Sequence, residues 1–437
     1  ALAATALLVT APAFLVLATT FLLDVPVLAC MLFAVYALLR GAEPRGWGWQ
    51  LAAGLAAGAA GLTKYVGFST APLLAAGVVL LYPRRAGAFA RVLGVPLALW
   101  ALWGAFTAHL YGTPHFWASS DLLVQKSLQP DEFWNQVLST PIYYGGALVF
   151  PIFVAVRAVR RGVRGAEIAV LGLVAGVAAL RWVLPDGEPS RRIAPEADHL
   201  VLGALGFAGA TLLWSFCLRP RRFLENPLER LLMLWLGGLL VYAMLVNWHV
   251  NAADALLAAP PVLLLLFRTP ELRPPSRSAA VWAAATLSLS LLLGYADARQ
   301  ANFYRDVARR VAAEIGEQPG QRWFVGHWGL QHYFEAEGFQ AVLPPMYGRS
   351  VLAVGDWVVS ARNVSQIDVS HAMEDYGLRE IWTWQLDSWL PLRTTNADAA
   401  AGFYSHHSGY VPFAFSARPV ERLGLGRVVS VRAAPAR

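Results

Sequence analysis

Eleven long apolar runs, one after another along the chain up to residue 297, constrain the fold more than any other feature. They lie at roughly 1–22, 25–40, 50–64, 68–82, 90–109, 142–157, 166–184, 199–217, 230–246, 255–267 and 279–296. A helix that crosses a bilayer needs about 20 mostly apolar residues, so the runs predict a polytopic helical membrane domain with some broken or re-entrant helices. With 57% apolar and 14% charged residues, the composition excludes a wholly soluble or disordered chain.

Arginine is concentrated in every second connection between these runs. The connections 40–49, 83–91, 157–165, 218–230 and 268–278 contain sixteen arginines and four acidic residues. The intervening connections contain five basic and nine acidic residues. The positive-inside rule therefore predicts that the arginine-rich connections face the cytoplasm. We interpret the net charge of +7 as this orientation signal, and expect no nucleic-acid partner.

The sequence predicts two domains, a membrane domain at 1–297 and a small α/β domain at 298–437. Eleven crossings place the second domain outside the cytoplasm, in the periplasm of a Gram-negative cell. The chain starts at Ala1, inside an apolar run and without Met, so we expect the membrane domain to be truncated at its N-terminus.

The C-terminal region lacks long apolar runs, and its pattern predicts alternating short elements. We expect a helix at 299–316, a strand at 322–326 and a helix over the sequence GLQHYFEAEG. Further strands are predicted at Gln340–Leu343, Asp356–Ser360 and Glu380–Trp384. The sequence Gly326-His327-Trp328-Gly329, with His332 and Tyr333, is a candidate for an acceptor-binding or lid site; alternatively it is a helix start packed by aromatic residues.

Asp24 and Lys64 are the first candidates for function, because ionisable groups at membrane depth are costly and are functional candidates by default. Both are predicted at the outer membrane face. Asp24 is a candidate for orienting an acceptor or holding a cation; alternatively it is the N-cap of the next helix. Lys64 is a candidate for binding a lipid phosphate; alternatively it anchors the helix end at the headgroups.

Two outer segments supply further polar candidates. The predicted loop 109–141 contains His109, His115, Asp121 and Lys126 among aromatic residues. The spacing of its two histidines matches no standard metal pair, so we predict no metal site there. The alternative is a set of solvated loop residues.

The second segment, NWHVNAADALLAAPP at 247–261, contains Asn247, His249, Asn251 and Asp254. Hydrogen-bonding groups before a proline-broken helix can line a polar cavity within a membrane. An ordinary polar turn between two helices is the alternative.

The segment from Asp24 to Lys64 resembles GT-C superfamily integral-membrane glycosyltransferases of bacteria. The similarity is to glycosyltransferase family 39, the dolichyl-phosphate-mannose-protein mannosyltransferase type. It rests on TAPAFLVLATTF, then D-V-P, a helix ending L-R-G, and AAGLAAGAAGLTKY. The segments YGTPHF and N-W-H…APP are similar more loosely, as are GHWGLQHYFEAEG and AGFYSHHSGYVPFAF near the C-terminus.

The resemblance implies a transferase that moves a sugar from a polyprenyl-phosphate donor to a glycan, lipid or protein acceptor. The reaction would occur at the outer face of a bacterial cytoplasmic membrane, among membrane lipids. Lys64 would neutralise the donor phosphate, and Asp24 would position acceptor or donor, directly or through a divalent cation. We predict no other cofactor. The resemblance gives the general base to an acidic residue in an outside loop upstream of this sequence.

Four residues are further candidates for contact with sugar or phosphate: Tyr65, His115, Asn247 and His249. Two other functions fit the same composition. One is a transporter or flippase for a lipid-linked substrate, and the other is a non-catalytic scaffold for envelope polysaccharide assembly. No inverted repeat is visible in the sequence and a 140-residue outside domain is unusual for a transporter, which argues against the first. Asp24→Asn and Lys64→Ala would leave a scaffold's function intact, whereas a transferase should lose its activity.

Overall fold

The computed structural model places the chain in two compact units. The first takes in most described residues up to Leu291, and the second takes in those from Leu292 onward with a short segment before Leu200. The structure describes residues 1–20, 22–82, 85–117, 130–162, 165–183, 197–247, 249–326, 329–342, 351–361, 373 and 376–431.

The first unit is helical, as the apolar runs predict. Its helices, in chain order, are α1 (Leu2–Val9), α2 (Pro12–Ala18), α3 (Asp24–Gly41), α4 (Trp47–Thr63), α5 (Thr70–Leu81), α6 (Arg85–Tyr111), α7 (Pro130–Leu148), α8 (Phe150–Arg161), α9 (Ala166–Val183), α10 (Ala197–Cys217), α11 (Pro220–Glu225), α12 (Pro227–Val241), α13 (Ala252–Phe267) and α14 (Ser276–Ile315). A 3₁₀ turn at Tyr65–Ser69 precedes α5, and a π-helical turn at Tyr242–Val246 follows α12.

Within the described residues, five helices are long and apolar enough to cross a membrane, or six if a bent pair counts as one span. Three shorter apolar helices lie at Tyr65–Leu81, Ala166–Leu180 and Ala252–Phe267. The eleven predicted runs all fall on helices, and eleven crossings stay a prediction.

Two of the predicted spans are broken, and the predicted loop 109–141 is too long. The run 1–22 divides into α1 and α2 at Pro12, which has no backbone N–H to continue a helix. The run 142–157 bends by 92° between α7 and α8. Val149 at the bend has a φ of 64°, which is strained for a β-branched residue. Residues from Pro130 onward, predicted as loop, already belong to α7.

Small residues allow α4 to lie very close to α6. A Cβ at Gly54 would come within 2.9 Å of the backbone oxygens of Arg91 and Val92, so a larger residue would push the helices apart. Trp100 on α6 donates a hydrogen bond to the carbonyl of Gly58 at 3.1 Å. Close backbone approach at small residues is a common basis of helix association in membranes. The alanine- and glycine-rich sequence therefore fixes the position of Lys64, which directly follows α4.

The second unit contains a five-stranded sheet with the strand order β2-β1-β3-β9-β4. Strand β1 is parallel to β2 and β3, whereas β9 is antiparallel to β3 and β4. The elements are β1 (Arg322–Val325), α15 (Gly329–Ala336), β2 (Gln340–Ala341), β3 (Trp357–Ala361), β4 (Tyr376–Leu386), β5 (Leu392–Arg393), β6 (Thr395–Asn396), β7 (Ala401–Gly402), β8 (Ala414–Phe415) and β9 (Glu421–Val431). The β5–β8 and β6–β7 pairs form two small separate ladders.

One face of the sheet packs against the end of α14 and against α15. Val311, Phe324 and Phe334 are fully buried in this core. The α/β character predicted for the second unit is confirmed. The helix expected at 299–316 is present up to Ile315, but it begins earlier, because it is the end of the continuous 40-residue α14. Strand β9 was missed.

Candidate functional site

A direct ion pair joins the first two candidate residues. The Nζ atom of Lys64 lies 2.6 Å from Oδ1 of Asp24, although the residues are 40 positions apart. The Asp24 side chain is 1% exposed, whereas that of Lys64 is 40% exposed. The pair therefore presents a half-exposed ammonium over a fully buried carboxylate.

Lys64 owes its position to a sharp reversal at the end of α4. Its backbone is extended, with φ of −155° and ψ of 143°, and its N–H bonds the carbonyl of Ala60 at 3.1 Å. The chain then turns back, and the N–H of Gly67 bonds the Lys64 carbonyl at 2.8 Å. A Cβ at Gly67 would collide with the carbonyl oxygen of Ala60, so this turn requires glycine.

Asp24 does not act as a helix cap, and that alternative is wrong. It is the first residue of α3, the cap position belongs to Leu23, and no side chain caps this helix start. A carboxylate in the first helical turn is stabilised by the helix dipole. The second oxygen of Asp24, Oδ2, is buried and accepts no hydrogen bond from the described residues. A buried acceptor atom next to an ammonium is suited to receive a hydrogen bond from a bound hydroxyl.

Aromatic residues adjoin the ion pair. The hydroxyl of Tyr65 contacts Nδ1 of His115, and the Tyr65 ring stacks on Phe68 with centroids 5.6 Å apart. Phe68 meets Trp100 edge-on at 4.5 Å. The backbone N–H of His115 also bonds the hydroxyl of Thr107 at 3.1 Å, which holds the segment after α6 against that helix. The structure therefore brings Tyr65 and His115 together beside Lys64.

The segment before α13 forms a second polar cluster. Asn251 is the N-cap of α13, and Asp254 bonds back to the Asn251 N–H at 3.1 Å, which completes a capping box. The Nδ2 atom of Asn247 donates to both oxygens of Asp254 at 3.2 and 3.1 Å. His249 Nε2 lies 3.0 Å from Asn251 Nδ2. Asn247 and Asp254 are thus fixed by hydrogen bonds, and His249 contacts the cap.

The two clusters are close to each other. Asp254 is near enough to Lys64 and Asp24 to interact electrostatically with both. Tyr242, in the turn after α12, is likewise within electrostatic range of Asp24 and Asp254. These four side chains come from the ends of four different elements, so the fold builds a single charged site from distant parts of the sequence.

Sequence reasoning missed the contribution of α7 to this site. Gln136 is fully buried and donates from Nε2 to the carbonyl of Asn247 at 2.7 Å. Three buried polar atoms of this helix find no partner among the described residues: Gln136 Oε1, Ser139 Oγ and the Tyr144 hydroxyl. Tyr144 is also within electrostatic range of Asp254. The sequence prediction divides these residues between the loop 109–141, which contains Gln136 and Ser139, and the apolar run 142–157, which contains Tyr144, so their common helix is hidden.

Other candidates lie away from this site or outside the described residues. His109 is exposed on α6, and Asp121 and Lys126 fall in the part of the chain that is not described. In the described part, no three His, Cys, Asp or Glu side chains form a group that could hold a metal ion.

The second unit has a buried polar network of its own. Asp297 accepts hydrogen bonds from Thr394 at 2.9 Å and from Tyr404 at 2.8 Å. Burial and the Asp297 carboxylate raise the pKa of the Tyr404 hydroxyl well above its usual value. His332 and Tyr333 lie on α15, whereas residues 327 and 328 are outside the described residues.

The long apolar helices and the charged cluster define a multi-pass membrane protein with a polar site at helix ends. Residues 1–120 match the family model described as dolichyl-phosphate-mannose-protein mannosyltransferase. The resemblance inferred from the sequence is confirmed for this part of the chain, which includes Asp24, Lys64, Tyr65 and His115. The match supports a membrane glycosyltransferase in general. No curated protein and no solved structure matches the chain.

Proposed function

We propose that the protein transfers a sugar from a polyprenyl-phosphate donor to a glycan, lipid or protein acceptor at the extracytoplasmic face of the membrane. One observation carries the proposal: within the family-matched residues, a buried carboxylate lies 2.6 Å from a half-exposed ammonium, and its second oxygen has no partner in the described part of the chain. Such a pair offers a cation for a phosphate and an acceptor atom for a hydroxyl.

In the proposed reaction, the acceptor hydroxyl oxygen bonds to the anomeric carbon of the sugar. The bond between that carbon and the phosphate oxygen breaks, and its electron pair stays on the leaving phosphate. Lys64 stabilises this charge, because a fixed cation lowers the energy of the negative charge that develops on a leaving phosphate. The hydroxyl proton passes to a general base, for which we propose an acidic residue outside this sequence, as the resemblance implies. Oδ2 of Asp24 holds the acceptor or donor in position.

The α7 side chains suit the sugar itself. Gln136 Oε1, Ser139 Oγ and the Tyr144 hydroxyl are buried hydrogen-bonding atoms of one helix. Gln136 donates to the Asn247 carbonyl, and Tyr144 is within electrostatic range of Asp254. A buried polar atom without a partner is costly, and a bound polyol satisfies several such atoms at once. Further proposed substrate contacts are Tyr65, which follows Lys64, its partner His115, and His249 at the start of α13.

A transporter or flippase is the second candidate, and the bend between α7 and α8 favours it. Discontinuous helices beside buried charges are typical of transporter binding sites. A transporter would move the lipid-linked sugar across the membrane and leave the sugar–phosphate bond intact.

The test is a transfer assay on membranes that contain the full chain, with polyprenyl-phosphate mannose as donor probe and total lipid, glycan and protein fractions as acceptors. We expect Lys64→Ala to lower transfer at least about a hundredfold, because a fixed charge at the leaving group is lost. Lys64→Arg should retain part of the activity. Arg40→Gln is the matched control, because Arg40 also forms an ion pair, with Glu43 at 3.4 Å. Arg40 lies near the end of α3, whereas Asp24 is its first residue.

Normal transfer by Lys64→Ala, with insertion equal to that of the wild type, would contradict the assignment of Lys64. Movement of the labelled lipid across the membrane without release of the sugar would contradict the transferase proposal and support the transporter.

A further inference from the structure

An open cavity of about 550 Å³ lies at the other end of α13 from the candidate site. It is lined by Glu229, Phe267, Arg268, Arg273 and three prolines. From Asp254 to Phe267 the helix rises about 20 Å, at about 1.5 Å per residue, so the cavity is separate from the charged cluster described above.

The cavity is strongly basic. Arg268 pairs with Glu229 at 2.8 Å and stays 41% exposed. Arg273 is exposed, and its guanidinium has no partner among the described residues. Arg157 on α8 is not a lining residue, but it donates to the carbonyl of the lining residue Arg273 at 3.0 Å. One lining carboxylate therefore faces two lining arginines, and the cavity lining has a surplus of positive charge.

The three arginines and Glu229 come from three of the arginine-rich connections, 157–165, 218–230 and 268–278. The sequence predicts the same membrane face for all three. Residues of 218–230 and 268–278 line the cavity, and Arg157 of 157–165 bonds the backbone of a lining residue. The positive-inside rule depends on the number of basic residues in a connection and not on their mutual positions. Orientation in the membrane alone would therefore not require these side chains to converge.

We propose that this cavity binds the phosphate of an anionic phospholipid headgroup. The planar guanidinium forms paired hydrogen bonds to phosphate oxygens, and basic pockets between membrane helices bind such headgroups. Phe267 and the prolines provide an apolar wall for the glycerol and the first acyl carbons. Because the cavity is open and lies at the end of an apolar helix, a lipid phosphate can enter it while its chains remain in the bilayer.

The experiment measures the thermal stability of the purified full chain in a neutral detergent. The added probes are phosphatidylglycerol, phosphatidylcholine and inorganic phosphate in separate titrations. We expect phosphatidylglycerol to raise the melting temperature and the other two to leave it unchanged. Arg273→Gln should weaken the phosphatidylglycerol effect about tenfold in concentration, as expected for the loss of a charge-assisted hydrogen bond. Glu229→Gln should strengthen it, because it removes the competing carboxylate.

Arg40→Gln is the control for general surface charge, because Arg40 is exposed and belongs to another arginine-rich connection outside the cavity. It should respond like the wild type. Equal responses of Arg40→Gln and Arg273→Gln would overturn the cavity as the binding site. An equal shift with inorganic phosphate would replace the lipid by a free anion. If Arg273→Gln does not fold, the increase expected for Glu229→Gln still decides the question.

Discussion

Two ion pairs in the helical unit have nearly the same geometry in different surroundings. Lys64 and Asp24 are 2.6 Å apart, and Arg268 and Glu229 are 2.8 Å apart. The two cations are equally accessible, at 40% and 41% exposure. The carboxylates differ, because Asp24 is 1% exposed and Glu229 is 14% exposed at the edge of an open cavity.

The comparison shows that the two ion pairs differ in the burial of the carboxylate and not in the exposure of the cation. A carboxylate that is withdrawn from water loses hydration, and one ammonium restores only part of it. Glu229 keeps contact with solvent and therefore loses less hydration. Because Oδ2 of Asp24 has no partner among the described residues, the cost of its burial is offset only in part within the fold. We expect such a feature where a substrate completes the hydrogen bonds.

The largest expected effect is the coupling energy of the Asp24–Lys64 pair. A double-mutant cycle with Asp24→Asn and Lys64→Met should give a coupling of about 1–3 kcal/mol, since removing Lys64 leaves a buried charge alone. The half-exposure of Lys64 keeps the value below that of a fully buried pair. The measurement is reversible unfolding in detergent micelles with increasing sodium dodecyl sulfate.

Glu229→Gln with Arg268→Met is the matching cycle at the other end of the unit. We expect about 0.2–1 kcal/mol there, the usual range for solvent-accessible pairs. Equal coupling energies in the two cycles would show that the burial of Asp24 has no energetic consequence, and the contrast between the two sites would fail.

At the two helix starts beside these sites, we expect effects on stability that are smaller than the coupling of the Asp24–Lys64 pair. Asn251 caps α13 with bonds to the N–H groups of Ala253 and Asp254, at 2.9 and 3.2 Å, within a capping box. Asn226 caps α12 with a single bond to Leu228 at 2.8 Å. Asn251→Ala should cost about 1–2 kcal/mol of unfolding free energy, and Asn226→Ala about 0.5–1 kcal/mol.

The same unfolding assay checks both variants. Asn251→Ala should also lower transfer, because the cap and Asn247 hold Asp254 in place. A larger loss of stability for Asn226→Ala than for Asn251→Ala would show that the capping box adds nothing to the single side-chain bond.

The fold was predictable where one pattern persisted over many residues. Long apolar runs indicated the helices, and a short hydrophobic strand followed by an amphipathic helix indicated β1 and α15. Strand β9 was missed because Gly424 and Gly426 interrupt its alternation, although it pairs with both β3 and β4. The continuity of α14 was missed because its apolar run ends near residue 296, whereas the helix continues to Ile315.

The site was predictable only in part, for a physical reason. Asp24 and Lys64 were recognisable because a charge in an apolar sequence is costly and therefore conspicuous. Their contact depends on the close packing of α4 and the turn at Gly67, which no local pattern reveals. Gln136, Ser139 and Tyr144 are neutral, so their presence in an apolar environment was less conspicuous, and a loop assignment concealed their common helix.

The comparison of two buried tyrosines is the one in which the sign of the effect is most informative. Tyr144 and Tyr82 are both buried, but only the Tyr82 hydroxyl has a described partner, the carbonyl of Leu38. Tyr144→Phe removes a buried hydroxyl that forms no bond within the described residues, so stability should stay equal or rise by up to about 1 kcal/mol. Tyr82→Phe removes a hydrogen bond to a carbonyl and should lower stability by about 1 kcal/mol.

In Tyr144→Phe, sugar transfer should weaken although the stability of the protein does not fall. If its hydroxyl binds the sugar, Tyr144→Phe raises KM while the folded protein becomes no less stable, a trade that is common at binding sites. Tyr82→Phe should leave KM unchanged, because Tyr82 follows α5 and bonds the C-terminal part of α3, away from Asp24. A loss of stability in Tyr144→Phe, with an unchanged KM, would mean that the hydroxyl serves the fold, and the polar face of α7 would no longer be a sugar-binding surface.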